Sequence, residues 1–427
     1  MAQESKVNCS INYNIGHVKL GHMKRFNYKS FQFKLLRWFG KNKRRLPWRI
    51  PNVDPYRIFV VEIMLQQTQI KTVLPYYDRW LKAFSNIRVL ARAPVDRVLK
   101  LWEGLGYYSR ARNLHKAAKM IVNQFGGHIP SDPALLRQLP GIGRYTAGAI
   151  ASIAFQKPVP LVDGNVARVF SRIFYIRKDI SKPDTIKIMF TIAEKIVPQK
   201  KPGDFNQALM ELGAIICVPE NPRCAICPVR QLCKAYQCGK ELNVPVKSRN
   251  VAIKEIKMAA AILQNGGRLL VRKRPNHGIW GGLWELPSVI RQKGESAEDA
   301  IQQEFKLAYG MQVEIEKKLP VLRHQLTHRT LWIEPVVVHM SSPRPPNIHQ
   351  NTRRTRCAVW RELANPPSCW AEKREYRRMD LPLTLSLRER VREKAKNLQS
   401  ARWVDQKTLV LLSFPVPHQK LIREYIS

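Results

Sequence analysis

The sequence predicts a multidomain protein in which an all-α domain is followed by a smaller α+β domain. From Phe31 to about Tyr236, apolar residues recur at three- and four-residue spacing, as in amphipathic helices, and no convincing strand interrupts them. After Met258, short β-type runs joined by tight turns replace this pattern. A cysteine-rich segment at 217–233 closes the helical half. The length of 427 residues is typical of two or three domains.

The domain boundaries follow from changes in composition along the chain. Residues 1–26 are polar and basic, and we expect a loose N-terminal extension before a helical domain at 27–238. The polar stretch 239–257 is predicted to be a linker. The second domain is predicted at 258–427, with a basic insertion at about 341–400.

Individual elements can be assigned within both halves. Prolines and glycines separate the helical segments of the first half, which are predicted at Val60–Thr72, Val98–Trp102, Thr146–Ala154 and Ile186–Ile196. In the second half, Asn265-Gly266-Gly267 predicts a tight turn between two strands. The predicted elements there are strands at Met258–Leu263, Arg268–Arg272 and Leu331–His339, a helix at Ala297–Leu307, and a folded segment from residue 401 onward.

Four cysteines in seventeen residues carry metal-binding chemistry, in the pattern C-x6-C-x2-C-x5-C formed by Cys217, Cys224, Cys227 and Cys233. Thiolates select zinc or iron–sulfur clusters over hard cations. A structural zinc site usually pairs two C-x2-C knuckles or adds histidines, and neither occurs in this segment. The single C-x2-C between longer arms therefore favours one 4Fe–4S cluster, with zinc as the alternative.

The charge of the chain indicates a polyanionic partner. There are 73 Lys+Arg against 32 Asp+Glu, a formal net charge of +41, which favours nucleic acid over an acidic membrane surface. The longest apolar stretch, around Ala147–Phe155, is too short to span a bilayer, so no membrane association is expected. The first residues lack the apolar core of a secretory signal, and the cysteine usage indicates a reducing compartment.

The segment LPGIGRYTAGA, at Leu139–Ala149, predicts a tight hairpin between two helices. Gly141 and Gly143 allow unusual φ angles and close approach of another backbone. The exposed N–H groups and the N-terminus of the following helix suit a DNA phosphate, which is the helix–hairpin–helix mode of binding. An ordinary interhelical turn is the alternative for such a motif in isolation.

Two acidic residues stand out because of their surroundings. Asp163, in LVDGNVARV, precedes a predicted helix, and helix capping alone would explain an aspartate there. Glu62 lies in an otherwise apolar helical segment, where a structural carboxylate paired with an arginine or a hydroxyl is the simplest interpretation.

The motifs together resemble a known superfamily. The glycine hairpin, the VDGNV segment and the cysteine loop, in this order, resemble the endonuclease III superfamily of DNA base-excision glycosylases. Three further segments are similar to the adenine DNA glycosylases of the MutY type, namely RRLPWR, VEIMLQQTQI and LWEGLGYYSRARNLHKAA. The resemblance covers about 31–236 in the first domain, and 258–339 with 402–422 in the second.

The resemblance implies catalytic roles for the two acids. Glu62 would protonate N7 of adenine, which weakens the N-glycosidic bond, and Asp163 would stabilise the cationic sugar that remains. Tyr145 and Asn165 would support this site, with Asn165 orienting Asp163. Packing for Tyr145 and a turn role for Asn165 are the alternatives.

The same resemblance implies how the substrate base is reached. Adenine must be flipped out of the stack, and the family then uses Gln67 and Tyr107 to hold the partner base and fill the gap. A core aromatic is the alternative for Tyr107.

Bifunctional relatives carry a lysine nucleophile where this chain has Tyr145, and some members carry a lysine where it has Ala167. A monofunctional glycosylase that leaves an abasic site is therefore expected.

The segment KRPNHGIWGGLWELP, at Lys273–Pro287, resembles the C-terminal domain of this family, which has a Nudix fold. Nudix hydrolases bind magnesium through glutamates on one helix. This chain keeps Glu304 but has Leu307 and Ala308 where the paired glutamates would be, so pyrophosphate hydrolysis is not expected.

The family uses this fold to recognise 8-oxoguanine through a Phe-Ser-His loop. This chain offers Leu326, Thr327 and His328, of which Thr327 keeps the hydroxyl and His328 the imidazole. A solvated hairpin turn is the alternative.

The basic insertion either adds nonspecific attraction to DNA or is a tolerated disordered insert. Its cysteines, Cys357 and Cys369, have no obvious partners for a second metal site.

The predicted function is excision of adenine from double-stranded DNA containing A:8-oxoguanine or A:G mispairs, which prevents G:C to T:A mutations. The alternatives are a pyrimidine-lesion glycosylase/lyase of the same superfamily and a non-enzymatic iron–sulfur DNA-binding protein. We expect a cytoplasmic, nucleoid-associated monomer, or a nuclear or mitochondrial one in a eukaryote. Replication or mismatch-repair proteins are the candidate partners.

Overall fold

The computed structural model describes residues 26–248, 253–341 and 401–426. The predicted N-terminal extension and the predicted basic insertion therefore lie outside the described residues, apart from Phe26 and Ser341. The described chain forms two compact units: the first from 26–93 and 112–248, the second from 94–111, 253–341 and 401–426.

The first unit is helical. Some of its helices begin at a capping side chain; for example, Asp54 accepts a hydrogen bond from the N–H of Tyr56, and Pro55 occupies the first turn of α2. Its longer helices are α1 (Tyr28–Asn42), α2 (Pro55–Met64), α3 (Ile70–Ala83), α4 (Ile87–Arg92), α8 (Arg144–Phe155), α9 (Gly164–Ile173), α10 (Pro183–Ile196) and α11 (Pro202–Ile215). Two short helices, α7 (Pro133–Leu136) and α12 (Lys234–Gln237), complete it, and α6 (Ser109–Gln124) begins in the second unit and continues into the first.

The helical segment predicted at Val60–Thr72 is not continuous. Helix α2 ends at Met64 and α3 begins at Ile70. Gln67, between them, has a φ of 57°, which is left-handed and cannot continue a right-handed helix. The break leaves Gln67 exposed on a tight connection directly after the buried helix that carries Glu62.

The second unit contains a mixed sheet built around two long strands. Its strands are β1 (Lys254–Asn265), β2 (Arg268–Lys273), β3 (Trp284–Glu285), β4 (Ser288–Ile290), β5 (Val313–Lys318), β6 (Leu322–Leu326), β7 (Arg329–Met340) and β8 (Ala401–Val404). The predicted hairpin is present, because Gly266 and Gly267 both have positive φ and join β1 to β2. Strand β1 runs parallel to β7, and β5 and β6 pair with β7 in antiparallel orientation.

Helices cover the apolar residues of this sheet. Helix α13 (Ala297–Glu304), which continues as a π-helical turn at Phe305–Tyr309, packs in a cluster with Leu270 and Val336. Two C-terminal helices, α14 (Gln406–Leu409) and α15 (Val416–Tyr425), contribute to a second cluster. Strand β1 begins at Lys254, inside the stretch predicted as a linker, because its first residues pair with β7 from Arg329 onward.

Residues 94–111 belong to the second compact unit although they lie within the predicted helical domain. They contain α5 (Val95–Trp102). Asp96 on this helix forms an ion pair with Lys273 on β2, with Oδ1 and Nζ 2.6 Å apart. Long-range contacts of this kind leave no local pattern in the sequence.

None of the described helices is long and apolar enough to cross a membrane.

A pair of glycine substitutions tests the packing of the helical unit. A Cβ at Gly148 on α8 would lie 2.3 Å from the carbonyl oxygen of Pro160, whereas a Cβ at Gly40 on α1 would have no neighbour within 4 Å. We expect Gly148→Ala to lower the free energy of unfolding by about 1–3 kcal/mol through overpacking. Gly40→Ala should raise it by roughly 0.5–1 kcal/mol through helix propensity.

Urea unfolding followed by far-ultraviolet circular dichroism measures both effects. Equal unfolding midpoints for Gly148→Ala and the unsubstituted protein would contradict the close packing of α8 against Pro160.

Candidate active site and cysteine centre

Helices α2 and α8 bring an acid and a phenol together inside the first unit. Glu62 on α2 is only 4% exposed, although its neighbours along the helix are apolar. Tyr145, in the first turn of α8, donates a hydrogen bond to Glu62 Oε2 at 3.2 Å, and its hydroxyl lies 3.5 Å from Met210 Sδ. Glu62 is therefore a buried carboxyl group that is hydrogen-bonded to a phenol rather than to a cation.

Asp163 lies at the N-terminus of α9, as its sequence position predicted. Its Oδ1 accepts a hydrogen bond from the N–H of Val166 at 2.7 Å, which caps the helix. Its Oδ2 accepts a second hydrogen bond from Asn165 Nδ2 at 2.9 Å. The capping role and a fixed carboxylate therefore coexist in this residue.

The two carboxyl groups have different electrostatic surroundings. Burial raises the pKa of Glu62 to about 7; the hydrogen bond from Tyr145 and the charge of Arg49 oppose this rise, and the charge of Asp163 adds to it. Burial also raises the pKa of Asp163, but the hydrogen bonds from Val166 and Asn165 oppose that shift. Glu62 can thus hold a proton near neutral pH, while the donors around Asp163 favour its ionised form.

A buried ion pair neutralises the cation near Glu62. Glu211 on α11 is 1% exposed and accepts hydrogen bonds from Arg44 Nε at 2.7 Å and Arg49 Nη2 at 2.9 Å. Burial alone would raise the pKa of Glu211, but these two guanidinium groups bring it to about 2. Both arginines come from the RRLPWR segment, which is thereby fixed beside the two acids.

Arg168 and Gly213 also shape this site, and the sequence analysis missed both. Arg168 Nη2 donates to Asn165 Oδ1 at 2.8 Å and to the carbonyl of Gly213 at 2.7 Å, and its Nε donates to the carbonyl of Cys217 at 2.7 Å. A Cβ at Gly213 would lie 2.7 Å from Asn165 Cβ, so α11 approaches α9 closely there. A cation three residues after Asn165, and so on the same face of α9, was the available sequence signal for Arg168.

The glycine hairpin lies between α7 and α8. Gly141 has a φ of 81°, and a Cβ there would lie 2.9 Å from Asn113 Cβ, so the turn requires glycine. Gly143 is exposed and begins α8 without a side-chain cap. Gln66 links the hairpin to the acid-bearing region, because its Nε2 lies 3.3 Å from the carbonyl oxygen of Gly141 and 3.1 Å from Thr146 Oγ1. The open helix N-terminus is suited to an anion.

The residues predicted to contact the partner base lie in both units. Gln67 belongs to the first unit, and Tyr107 to the second. Tyr107 is 42% exposed, with a φ of 49°. Thr327 and His328 form the exposed turn between β6 and β7, and the Thr327 hydroxyl is hydrogen-bonded to the Tyr107 hydroxyl. Tyr107 and Thr327 are therefore brought together, although 220 residues separate them.

The remaining Nudix-type glutamate is paired internally. Glu304 Oε1 accepts a hydrogen bond from Arg272 Nη1 at 2.7 Å, and Arg272 Nε also binds Glu285 at 2.7 Å. Ala308 is buried and Leu307 is half-exposed, and neither side chain offers an oxygen. Arg272 thus forms ion pairs with both Glu285 and Glu304.

The four cysteines of the predicted cluster line one cavity with apolar walls and with Arg172, namely Cys217, Cys224, Cys227 and Cys233. None of the four forms a disulfide. Burial raises the pKa of Cys227 to about 11 and that of Cys233 to about 12, and the neighbouring thiols add to both shifts. Arg172 Nη1 lies 3.3 Å from Cys217 Sγ.

The donor set of this cavity fits a thiolate-bound group. Four sulfurs with a nearby guanidinium suit a centre that deprotonates its ligands. Within 26–248, 253–341 and 401–426, no three or more His, Cys, Asp or Glu side chains are gathered closely enough for a single metal ion.

Models of two protein families match the two halves of the chain. The model of the HhH-GPD superfamily base excision DNA repair proteins matches residues 60–198, and the NUDIX domain model matches residues 258–382. Among solved structures, a thermostable thymine-DNA glycosylase has 32% identity and a TM-score of 0.46, covering 49% of this chain and 97% of that one.

Several curated relatives carry the name adenine DNA glycosylase. The one from Buchnera aphidicola subsp. Baizongia pistaciae is 38% identical over 337 residues, which cover 78% of this chain and 91% of that protein. The mouse protein is 35% identical over 400 residues, covering 80% and 76%. The human protein is 38% identical over 326 residues, covering 64% of this chain and 60% of its own length. With this identity and coverage, the chain belongs to the adenine DNA glycosylase family, within the HhH-GPD superfamily of base excision DNA repair proteins.

Proposed function

We propose that this protein is a monofunctional DNA glycosylase that hydrolyses the N-glycosidic bond of adenine mispaired with 8-oxoguanine or with guanine. The observation that carries the proposal is the buried Glu62, which is hydrogen-bonded to Tyr145 and has a pKa of about 7. Adenine is a poor leaving group until it is protonated, so its excision needs an acid that keeps its proton at neutral pH.

The two acids divide the reaction between them. Glu62 donates its proton to N7 of the flipped adenine, and the glycosidic bond electrons leave with the base. Asp163 remains ionised and stabilises the cationic sugar, held in place by the N–H of Val166 and by Asn165. A water molecule then completes the hydrolysis and leaves an abasic site.

Strand cleavage through a Schiff base is not part of the proposal. Tyr145 stands where the lyase branch carries its amine nucleophile, and its hydroxyl is engaged with Glu62. Ala167 is buried on α9 and offers no amine. These residues disfavour the pyrimidine-lesion glycosylase/lyase. The buried pair of acids disfavours the non-enzymatic alternative.

Recognition of the DNA is assigned to separate elements. Gly141 and Gly143 would present the start of α8 to a phosphate. Gln67 and Tyr107 would occupy the space left by the flipped adenine, and Thr327 with His328 would contact 8-oxoguanine. The compartment would be the bacterial nucleoid, or the nucleus or mitochondria of a eukaryote, and we propose that the protein acts as a monomer.

We further propose that Cys217, Cys224, Cys227 and Cys233 hold one 4Fe–4S cluster. Four thiols that line one cavity support a thiolate-bound centre, and the single C-x2-C spacing without a histidine in the segment favours a cluster over zinc. Arg168 and Arg172 bind the backbone or sulfur of Cys217 and would fix this loop against α9. The cluster would supply a covalent link across a segment with little helix of its own.

An incision assay tests the proposed function. The purified protein is incubated with labelled duplexes containing A opposite 8-oxoguanine, A opposite G, or thymine glycol opposite A, and products are compared with and without alkali. Breaks at adenine that appear only after alkali are the expected result. Breaks without alkali, or action on thymine glycol alone, would move the activity to the lyase branch, and tight binding without product would favour the non-enzymatic rival.

Glu62→Gln should abolish adenine release, because an amide cannot donate the required proton. We expect a loss of at least about 10²–10⁴-fold in single-turnover rate, with mispair affinity within about tenfold of the unsubstituted protein. Glu316→Ala, at an exposed position on β5, is the matched control. Undiminished turnover in Glu62→Gln would refute the acid assignment.

The rate of adenine release should depend on pH through Glu62. Because the acid must be protonated, the rate should fall as the pH rises through about 7. Tyr145→Phe removes a hydrogen bond that lowers the pKa of Glu62, so the fall should move to higher pH. Single-turnover rates from about pH 6 to about pH 9 measure both profiles, and a shift to lower pH would contradict the role of this hydrogen bond.

Cys227→Ser should remove the proposed cluster. We expect loss of the brown absorbance, of bound iron and of most soluble protein, because a hard alcohol replaces one soft thiolate. Iron and acid-labile sulfide are measured against protein, with Ile226→Ser, at the exposed neighbouring position, as control. Unchanged iron content in Cys227→Ser would exclude this residue as a ligand.

A further inference from the structure

The connection between α5 and α6, which carries Tyr107, contains three residues in the left-handed region of backbone conformation. Gly104, Gly106 and Tyr107 all have positive φ, at 94°, 75° and 49°. Glycine costs the most backbone entropy to fix, so a segment of this composition needs anchors to hold one conformation. Part of the anchoring is internal: the carbonyl of Gly106 accepts hydrogen bonds from Trp102 Nε1 at 3.0 Å and Arg110 Nη2 at 3.1 Å.

The other end of the connection is held from the C-terminal segment. Glu103 Oε1 accepts a hydrogen bond from the N–H of Phe414 at 2.9 Å, and its Oε2 accepts one from Lys100 Nζ at 2.8 Å. Lys100 Nζ also donates to the carbonyl of Leu412 at 2.9 Å. These three hydrogen bonds form a ring that is closed by the backbone between Leu412 and Phe414, and we call it the 100/103 clasp.

The clasp attaches to a rigid part of the second unit. Leu412 and Phe414 are 5% and 3% exposed, and they pack in the apolar cluster that contains Trp284 and Leu286. Glu103 is itself largely covered, with 17% of its side chain exposed. The ion pair with Lys100 alone would contribute little at such a surface. The hydrogen bond from the buried N–H of Phe414 contributes more to holding Glu103 than the ion pair does, because leaving a buried N–H unpaired is unfavourable.

We propose that Glu103 is a positioning residue for Tyr107, which acts by fixing the first residue of the 103–107 connection to the core beneath the C-terminal segment. The inference rests on the proposed function, in that Tyr107 and Thr327 are taken to read the base opposite adenine. With the clasp closed, the Tyr107 hydroxyl meets the Thr327 hydroxyl. When the clasp is open, Gly104 and Gly106 allow the phenol ring of Tyr107 to sample other positions. The hydrogen bond between the Tyr107 and Thr327 hydroxyls is then lost for part of the time.

Hydrogen exchange in the DNA-free protein tests the clasp without any reference to activity. In Glu103→Ala, amide exchange at residues 104–107 should accelerate by about tenfold or more, with α8 and α9 unchanged. Glu424→Ala is the matched control, because Glu424 also faces a lysine, Lys420, on the exposed side of α15. Unaltered exchange at 104–107 in Glu103→Ala would overturn the proposal.

Base preference tests the consequence for function. In Glu103→Ala, the ratio of kcat/KM for A:8-oxoguanine to kcat/KM for A:G should fall about fivefold or more, mainly through a change in KM. Glu103→Gln keeps an oxygen that can accept the hydrogen bond from the N–H of Phe414, so this variant should retain most of the original ratio. Lys100→Ala combined with Glu103→Ala should lose no more than Glu103→Ala alone, because both substitutions open the same ring.

The two arms separate the inference from the proposed function. Faster exchange with an unchanged preference ratio would overturn the positioning role while leaving the glycosylase assignment in place. If the unsubstituted protein released no adenine from either duplex, the proposed function would fail, and the exchange arm would still decide whether the clasp holds the connection.

Discussion

The burial of Glu62 is the constraint on which the rest of the site depends. A buried carboxyl group resists ionisation, and burial is the largest cause of the rise in the pKa of Glu62 to about 7. Every charged neighbour must then be arranged so that this effect is not cancelled. The charge of Arg49 opposes the rise, and Glu211 forms a salt bridge with that guanidinium and so supplies a compensating charge. The RRLPWR segment and α11 therefore affect Glu62 indirectly, because Glu211 on α11 offsets the positive charge of Arg49.

This arrangement also has a consequence for stability. The pKa of Glu62 is raised in the folded protein from its ordinary 4.5 to about 7, so the folded state binds the proton more tightly than the unfolded chain. Its contribution is fully present below about pH 4.5 and is lost progressively as the pH rises to about 7. Above that range, a shift of this size lowers the free energy of unfolding by roughly 3 kcal/mol relative to its value at low pH. The protein thus tolerates a destabilising residue in α2 at physiological pH.

Sequence patterns predicted the features that depend on the conformational preferences of single residues. The turn at Gly266 and Gly267, the hairpin at Gly141 and the start of α9 after Asp163 follow from glycine at positive φ and from a capping side chain. Gln67 could not be predicted in this way, because glutamine has no preference for a φ of 57° and the apolar spacing runs through the break.

Contacts between distant segments were equally hidden from sequence reasoning. Residues 94–111 join the second unit through pairs such as Lys273 with Asp96, 177 residues apart. The contact of Arg168 with the backbone of Cys217 spans 49 residues. A charged residue on a helix face is usually solvated, so neither its sequence position nor its charge reveals a distant carbonyl partner. The positioning residues of this site are therefore less visible in the sequence than its acids.

The different behaviour of the two acids follows from where each stands on its helix. Within a helix, backbone N–H groups are already bonded to carbonyls four residues earlier, so Glu62 in α2 has only side chains available as donors. At a helix N-terminus the first N–H groups lack such partners, and Asp163 receives one of them from Val166. An ionised carboxylate needs donors, whereas a protonated one needs few. The backbone geometry of α2 and α9 thus favours a proton donor at residue 62 and an anion at residue 163 before any substrate is bound.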